Sequence, residues 1–170
     1  QARIVAMPNY VSEEILAAQP AAERQRVILA VGRLAKVKNY HTLLAAWALI
    51  AADHPDWKVV IYGVGPQLKV LKAEALRLGV ADSFLLEGHR GNLGEEYARM
   101  SIFCHPAHFE GFGLSAAEAL ALGMPVVAFA DCPGVNEFVF DGENGLLVDR
   151  AGGAEALAAG LRRLIEDDAL

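Results

Sequence analysis

Apolar positions along this chain switch between two periods. Residues 27–31 (VILAV) form a continuous apolar run, as a strand buried on both faces does. After a loop over 32–39, Leu43, Leu44, Trp47 and Ile50 recur at helical spacing. They predict a helix over 40–52 with Asn39 as its N-cap, ended by Asp53-His54-Pro55. The unit then repeats. Strands are expected at 57–62, 83–86, 101–104, 125–129 and 146–148. Helices are expected at 67–78, 93–99, 114–122 and 154–165, with a single helical turn at 136–139. Gly79 and Gly123 stand where helix C-caps belong. Strands that alternate with helices at this spacing imply βαβ units with right-handed crossovers. The expected fold is an α/β doubly wound parallel sheet, Rossmann-like, of about six strands with helices on both faces.

Composition narrows the function. A chain of 170 residues, 54% hydrophobic and 21% charged, can bury a full core and is not disordered. Its net charge of −6 argues against a nucleic-acid partner, whose phosphates need a basic surface. Cys104 and Cys132 lack metal-ligand spacing and are too few for a disulfide scaffold. No apolar stretch is long enough to span a bilayer, because Glu118, Gly123 and Asp131 break the alanine-rich runs. The expected compartment is the cytoplasm. The chain opens at Gln1 with a short apolar strand over 4–7 and closes inside a helical pattern. The pattern suggests a piece cut from a longer protein.

The candidate chemistry is concentrated in position. Loops 32–38, 63–66, 87–91, 105–113 and 131–134 each follow a strand, so a parallel sheet gathers all five on its carboxyl edge, where open α/β sheets bind ligands. Gly32 and Arg33 leave the first strand, and Lys38 precedes a helix. Two cations beside a positive helix end suit a diphosphate. Solvated surface cations are the alternative. Gly63-Val64-Gly65-Pro66 resembles half of a dinucleotide fingerprint, but Leu68 occupies the place of its third glycine and no acid follows to hold a ribose. Those glycines permit either a tight turn or close approach of a ligand.

Phe109 to Glu118 (FEGFGLSAAE) is the most informative stretch. Glu110 lies in a loop, Gly111 and Gly113 free the backbone on either side of Phe112, and a helix starts at Leu114. This is an anion nest with a carboxylate beside it. Glu118 sits on an otherwise apolar helix face (Leu114, Ala117, Leu122), a costly place for an acid without a hydrogen-bond partner. Ribose hydroxyls would serve; a first-turn glutamate that answers the helix dipole is the plainer reading. His105 at a strand end and His89 and Arg90 after another are weaker candidates for ligand contact. His108 shares the loop after His105, which is not a helix face, and no metal site is expected.

The E-x7-E arrangement of Glu110 and Glu118 resembles the signature of family 4 (group 1) glycosyltransferases, in the C-terminal, donor-binding domain of the GT-B fold. GRLAKVKN at 32–39, YGVGP at 62–66, EGFGLSAAEALALGMPVV at 110–127, GVNE at 134–137 and NGLLV at 144–148 extend the likeness across almost the whole chain. The resemblance implies that Arg33 and Lys38 bind a donor diphosphate and that Glu110 faces the transferred sugar. It also implies that backbone around Gly111, Phe112, Gly113 and Leu114 meets sugar and phosphate, that Glu118 holds the ribose, and that backbone near Glu87 and Gly88 touches the base. Gly32, Gly63 and Gly65 complete the expected donor site.

Three departures stand out. Cys132-Pro133-Gly134 replaces a double glycine, and Pro133 removes a backbone donor. Ser12 stands where an Asp is common. The family's N-terminal acceptor domain and C-terminal crossover helix are expected to be absent. Residues 1–12 then read as the end of an interdomain linker and 13–170 as the donor domain. The implied activity is retaining transfer of a sugar from a nucleotide diphosphate, with UDP preferred. Its acceptor is a glycan or lipid-linked saccharide held by the missing domain, and neither metal nor other cofactor takes part. Peripheral contact with the inner membrane face would suit such an acceptor. A GT-B sugar-nucleotide epimerase and a non-catalytic nucleotide-binding Rossmann module are the alternatives.

Overall fold

The computed structural model describes residues 9–167, so the strand expected at 4–7 lies outside the described residues. Six parallel strands form one sheet: β1 (Gln25–Val31), β2 (Lys58–Tyr62), β3 (Phe84–Gly88), β4 (Met100–His105), β5 (Val126–Phe129) and β6 (Gly145–Val148). Their order is β3-β2-β1-β4-β5-β6, the doubly wound arrangement expected. Register follows the apolar runs, with Ile28 beside Val59 on one side and beside Ile102 on the other.

Helices cover both faces. On one, α2 (Tyr40–Ile50), α3 (Leu68–Arg77) and α6 (Gly153–Glu166) close over Ile28, Ala30, Val59, Ile61 and Ile102, with Trp47 fully buried among them. On the other, α1 (Glu13–Leu16), α4 (Gly94–Arg99) and α5 (Leu114–Ala121) close over Leu29, Phe103, Val126 and Ala128. Strand residues alternate between these two cores, so uniform apolarity, not alternation, marks the strands in the sequence.

Two local features differ from the sequence reading. The short α1 is additional, capped by Ser12, whose Oγ accepts from the Ile15 amide at 3.4 Å. Asn39 precedes α2 but does not cap its amides through its side chain. It is left-handed (φ 54°), its Oδ1 accepts from the Thr42 hydroxyl at 2.8 Å, and its Nδ2 donates to the Pro106 carbonyl at 3.0 Å. Asn39 thereby ties the loop after β1 to the loop after β4.

Candidate functional site

The strand order reverses between β1 and β4, and the loops that leave these two strands carry the charged candidates. Such a reversal opens a crevice at the carboxyl edge because consecutive crossovers depart in opposite directions. Lys38 ends a 3-10 turn, Lys36–Lys38, and its Nζ reaches across the crevice to pair with Glu110 Oε2. The Gly111 amide also meets the Glu110 carboxylate, at 3.3 Å. Partial burial pushes the Glu110 carboxyl up. The Lys38 hydrogen bond and charge, with His105 and the Gly111 amide, outweigh it and hold the group below its ordinary value. Two residues thus meet across the crevice that sequence spacing placed 72 positions apart.

The loops are locked by backbone. The His108 amide donates to the Val37 carbonyl at 3.1 Å, and Arg150 Nη2 donates to the His108 carbonyl at 2.7 Å while its Nε lies 2.8 Å from Asp131. Gly32 (φ 149°) passes close to its neighbours: a Cβ there would lie 3.0 Å from the Tyr40 hydroxyl and 3.3 Å from Lys38 Cε. The missing side chain makes room for the lysine stem.

Gly63 and Gly65 are held close to the first loop. A Cβ on either would collide with the backbone of Gly32 or Leu34. Their amide and carbonyl neighbours are bonded there too: Leu34 donates to the Val64 carbonyl and Gln67 donates to the Leu34 carbonyl. The glycine pair therefore serves loop-to-loop approach, while still lining the crevice.

Gly113 (φ 88°) opens α5, and a Cβ would stand 2.5 Å from Val135 Cγ2. The Ala116 and Ala117 amides return to the Gly113 carbonyl, so those of Leu114 and Ser115 have no helical acceptor and point out of the helix end. Gly134 (φ 80°) lies against the backbone of Glu110, Gly111 and Phe112, so the Cys132-Pro133-Gly134 turn supports the glutamate loop from behind. Phe112 meets Phe138 at 5.4 Å between ring centres.

Glu118 has the partner its position demanded. The hydroxyl of the fully buried Tyr97 donates to Glu118 Oε2 at 2.9 Å. Burial raises the Glu118 carboxyl above its ordinary value, against the pull of that hydrogen bond. Sequence reasoning passed over Tyr97, which looked like any apolar helix position.

A cavity of about 530 Å³ opens beside this centre, lined by Gly32, Arg33, Tyr62, Gly63, Gly65 and Arg90 among others. Arg33 is exposed at its mouth. The Arg90 guanidinium lies 5.8 Å from the Tyr62 ring centre and 2.8 Å from the fully buried Glu96 carboxylate, which Arg99 also holds. Arg90 is therefore fixed, not a loosely solvated loop residue. The Gly88 carbonyl accepts from the Gly63 amide at 2.7 Å, which puts that backbone near the cavity. The Glu87 side chain is exposed and lines a separate apolar groove with Lys72, Leu76 and Phe84. Among the described residues no group of three His, Cys, Asp or Glu side chains is disposed to hold a metal ion, and no helix is long and apolar enough to cross a membrane.

Comparison with known proteins places this architecture. A glycosyltransferase from Haemophilus influenzae is 36% identical over 145 residues, covering 85% of this chain and 41% of its own. The pneumococcal O-GlcNAc transferase GtfA, solved in complex with UDP and GlcNAc, superposes with a TM-score of 0.83 at 27% identity, over 90% of this chain and 31% of that one. The C-terminal domain of a glycosyl transferase group 1 family protein (LpcC) from Francisella tularensis superposes with a TM-score of 0.79 at 27% identity, over 90% of this chain and 87% of that domain. The chain thus spans less than half the length of the first two, and nearly all of the isolated C-terminal domain. The family model for group 1 glycosyl transferases matches residues 11–170, and the chain belongs to that family.

Proposed function

We propose that this chain is the donor-binding domain of its enzyme, with residues 13–170 as the domain and 1–12 as the end of a linker from an acceptor domain. It binds a UDP-sugar in the crevice. In the complete enzyme the sugar passes to a glycan or lipid-linked saccharide on the cytoplasmic side, with retention of configuration. The observation that carries this reading is the meeting of Lys38, Glu110 and the open end of α5 where the strand order reverses. GtfA, bound to UDP and GlcNAc, supports the choice of donor.

The chemistry follows from the charges. Sugar transfer from a nucleotide diphosphate leaves negative charge on the departing phosphate. Arg33, Lys38 and the amides of Leu114 and Ser115 stabilise that charge without a metal ion. Glu110 faces the sugar as its ring gains oxocarbenium character, which a carboxylate favours. Glu118 accepts from the ribose hydroxyls with the oxygen that Tyr97 leaves free. The backbone near Gly88 and the clamped Arg90 border the base.

Calorimetric titration of the chain with UDP, UDP-glucose and uridine tests the reading. Arg33→Ala and Lys38→Ala are each expected to weaken UDP by about 1.5–3 kcal/mol, the range for hydrogen bonds to charged groups. Uridine, which has no phosphate, should lose far less. Equal losses for both ligands would place the cations outside the diphosphate site.

A further inference from the structure

His105 closes β4 directly behind Glu110, and nothing in the donor chemistry above employs it. Its side chain is 3% exposed, and its ring stacks on Phe103 at 6.4 Å between centres. Its Nε2 is fully buried, has no hydrogen-bond partner among the described residues, and lies 3.6 Å from Glu110 Oε2. That oxygen is the one Lys38 Nζ already occupies. The lysine holds that oxygen, and the imidazole nitrogen stands just outside hydrogen-bond reach of it.

We propose that His105 is a positioning residue for Glu110, whose Nε2–H takes over the carboxylate oxygen when Lys38 turns to an anionic ligand. The proposal rests on the reading of Lys38 as a diphosphate contact. When Lys38 leaves, Glu110 Oε1 keeps the Gly111 amide but Oε2 loses its one protein donor, and a replacement beside it stabilises that partly buried oxygen. A small rotation of the Glu110 side chain closes the remaining gap to the imidazole.

The exchange of donors also changes the charge. An ammonium paired with Glu110 cancels the negative charge that a cationic sugar needs. A neutral imidazole donates one hydrogen bond and leaves that charge intact. Burial, reinforced by the Lys38 charge and opposed by Glu110, brings His105 down to about 4, so the ring is neutral near pH 7. Lys38 and Glu110 are the charged groups acting on it. Cys104 and Tyr40 nearby are held neutral by burial.

Long-range 1H–15N NMR of the His105 ring in the whole chain tests the exchange without catalysis. Parent and Lys38→Met chains are titrated from pH 4 to 8, then exposed to UDP at pH 7. The expected ring carries its proton on Nε2 in both chains. In Lys38→Met the Nε2 proton moves downfield and the titration midpoint rises by roughly one pH unit or more, because the Glu110 charge is then unopposed. Adding Glu110→Gln to that chain should abolish both changes. UDP added to the parent should reproduce the downfield movement. A proton on Nδ1 in Lys38→Met would overturn the proposal, because the bare Nε2 would then repel the carboxylate. Identical spectra for Lys38→Met with and without Glu110→Gln would overturn it equally. If Lys38→Met moves the signal and UDP does not, the His105–Glu110 contact stands and the diphosphate role of Lys38 fails.

Discussion

Tyr97 on α4 donates its hydroxyl hydrogen to Glu118 on α5, at 2.9 Å, across the core beneath β4. The contact resolves the cost of an acid on an apolar helix face, and it does so with one carboxylate oxygen, which leaves the other for a ligand. Tyr97→Phe removes the donor and nothing else. The change is expected to cost about 1–2 kcal/mol, within the range for one hydrogen bond to a charged acceptor that is half exposed. Urea unfolding at pH 7 measures it. A lower midpoint with an unchanged slope is the expected result, and no change in midpoint would show the bond to be worth nothing net.

The Lys38–Glu110 pair implies a less obvious result for binding. On the proposed reading Lys38 leaves Glu110 to reach a phosphate, so part of its gain is spent on the broken pair. Glu110→Gln weakens that competition. UDP affinity is therefore expected to stay level or rise, by up to about fivefold, since partly exposed ion pairs are worth about 0–1 kcal/mol. Calorimetry on the two chains checks it. Loss of UDP binding with the fold intact would assign Glu110 to the nucleotide and not to the sugar.

The doubly wound parallel sheet and the gathering of five loops on one edge were readable from apolar strand runs alternating with helical periods. A parallel sheet with right-handed crossovers leaves few alternatives. That Arg33, Lys38 and Glu110 stand on loops of the carboxyl edge was legible, because each of those loops follows a strand. What the sequence concealed was pairing. Tyr97 and Glu118 are 21 positions apart on two helices, and Arg90 finds Glu96 through a loop, so no spacing marks either contact. Gly63 and Gly65 left two readings open. A glycine needed for a ligand and one needed for a neighbouring loop have the same sequence, and only the position of the Gly32 and Leu34 carbonyls separates them.

That distinction is itself testable. Gly63→Ala drives a methyl group onto the Gly32 carbonyl, with no flexible side chain to yield. A loss of about 2–3 kcal/mol is expected from such overpacking, with or without ligand. Gly111 has nothing within 4 Å of the place a Cβ would occupy, and it is exposed. Gly111→Ala should change stability by no more than about 0.5 kcal/mol, as exposed substitutions do. It should nevertheless weaken UDP-glucose, because the methyl group enters the crevice beside the α5 terminus. Thermal melts and calorimetry on both variants separate a packing glycine from a ligand-facing one.

Glu118 gives the sharpest test, because its stability effect and its proposed function have opposite signs. Its carboxyl is raised by burial despite the Tyr97 hydrogen bond, so the folded chain holds that proton more tightly than the unfolded chain does. The sign follows from linkage. A raised acid contributes stability in full below its unfolded value, and the contribution disappears as pH rises through the folded value. At pH 7 the carboxylate thus costs the fold stability. Glu118→Gln keeps an acceptor for Tyr97 and removes the buried charge. The variant is expected to melt higher than the parent at pH 7, with the gap narrowing toward zero as pH falls below 4.5, where both side chains are neutral. The same variant should bind UDP-glucose and UDP more weakly, because an amide is a poorer acceptor for ribose hydroxyls than a carboxylate. Melting curves from pH 4 to 8, paired with calorimetry at pH 7, measure the two effects on one sample. A variant that melts higher and binds UDP as tightly as the parent would make Glu118 a residue of the fold alone. One that melts lower at pH 7 would mean that the Tyr97 bond to the carboxylate outweighs its burial.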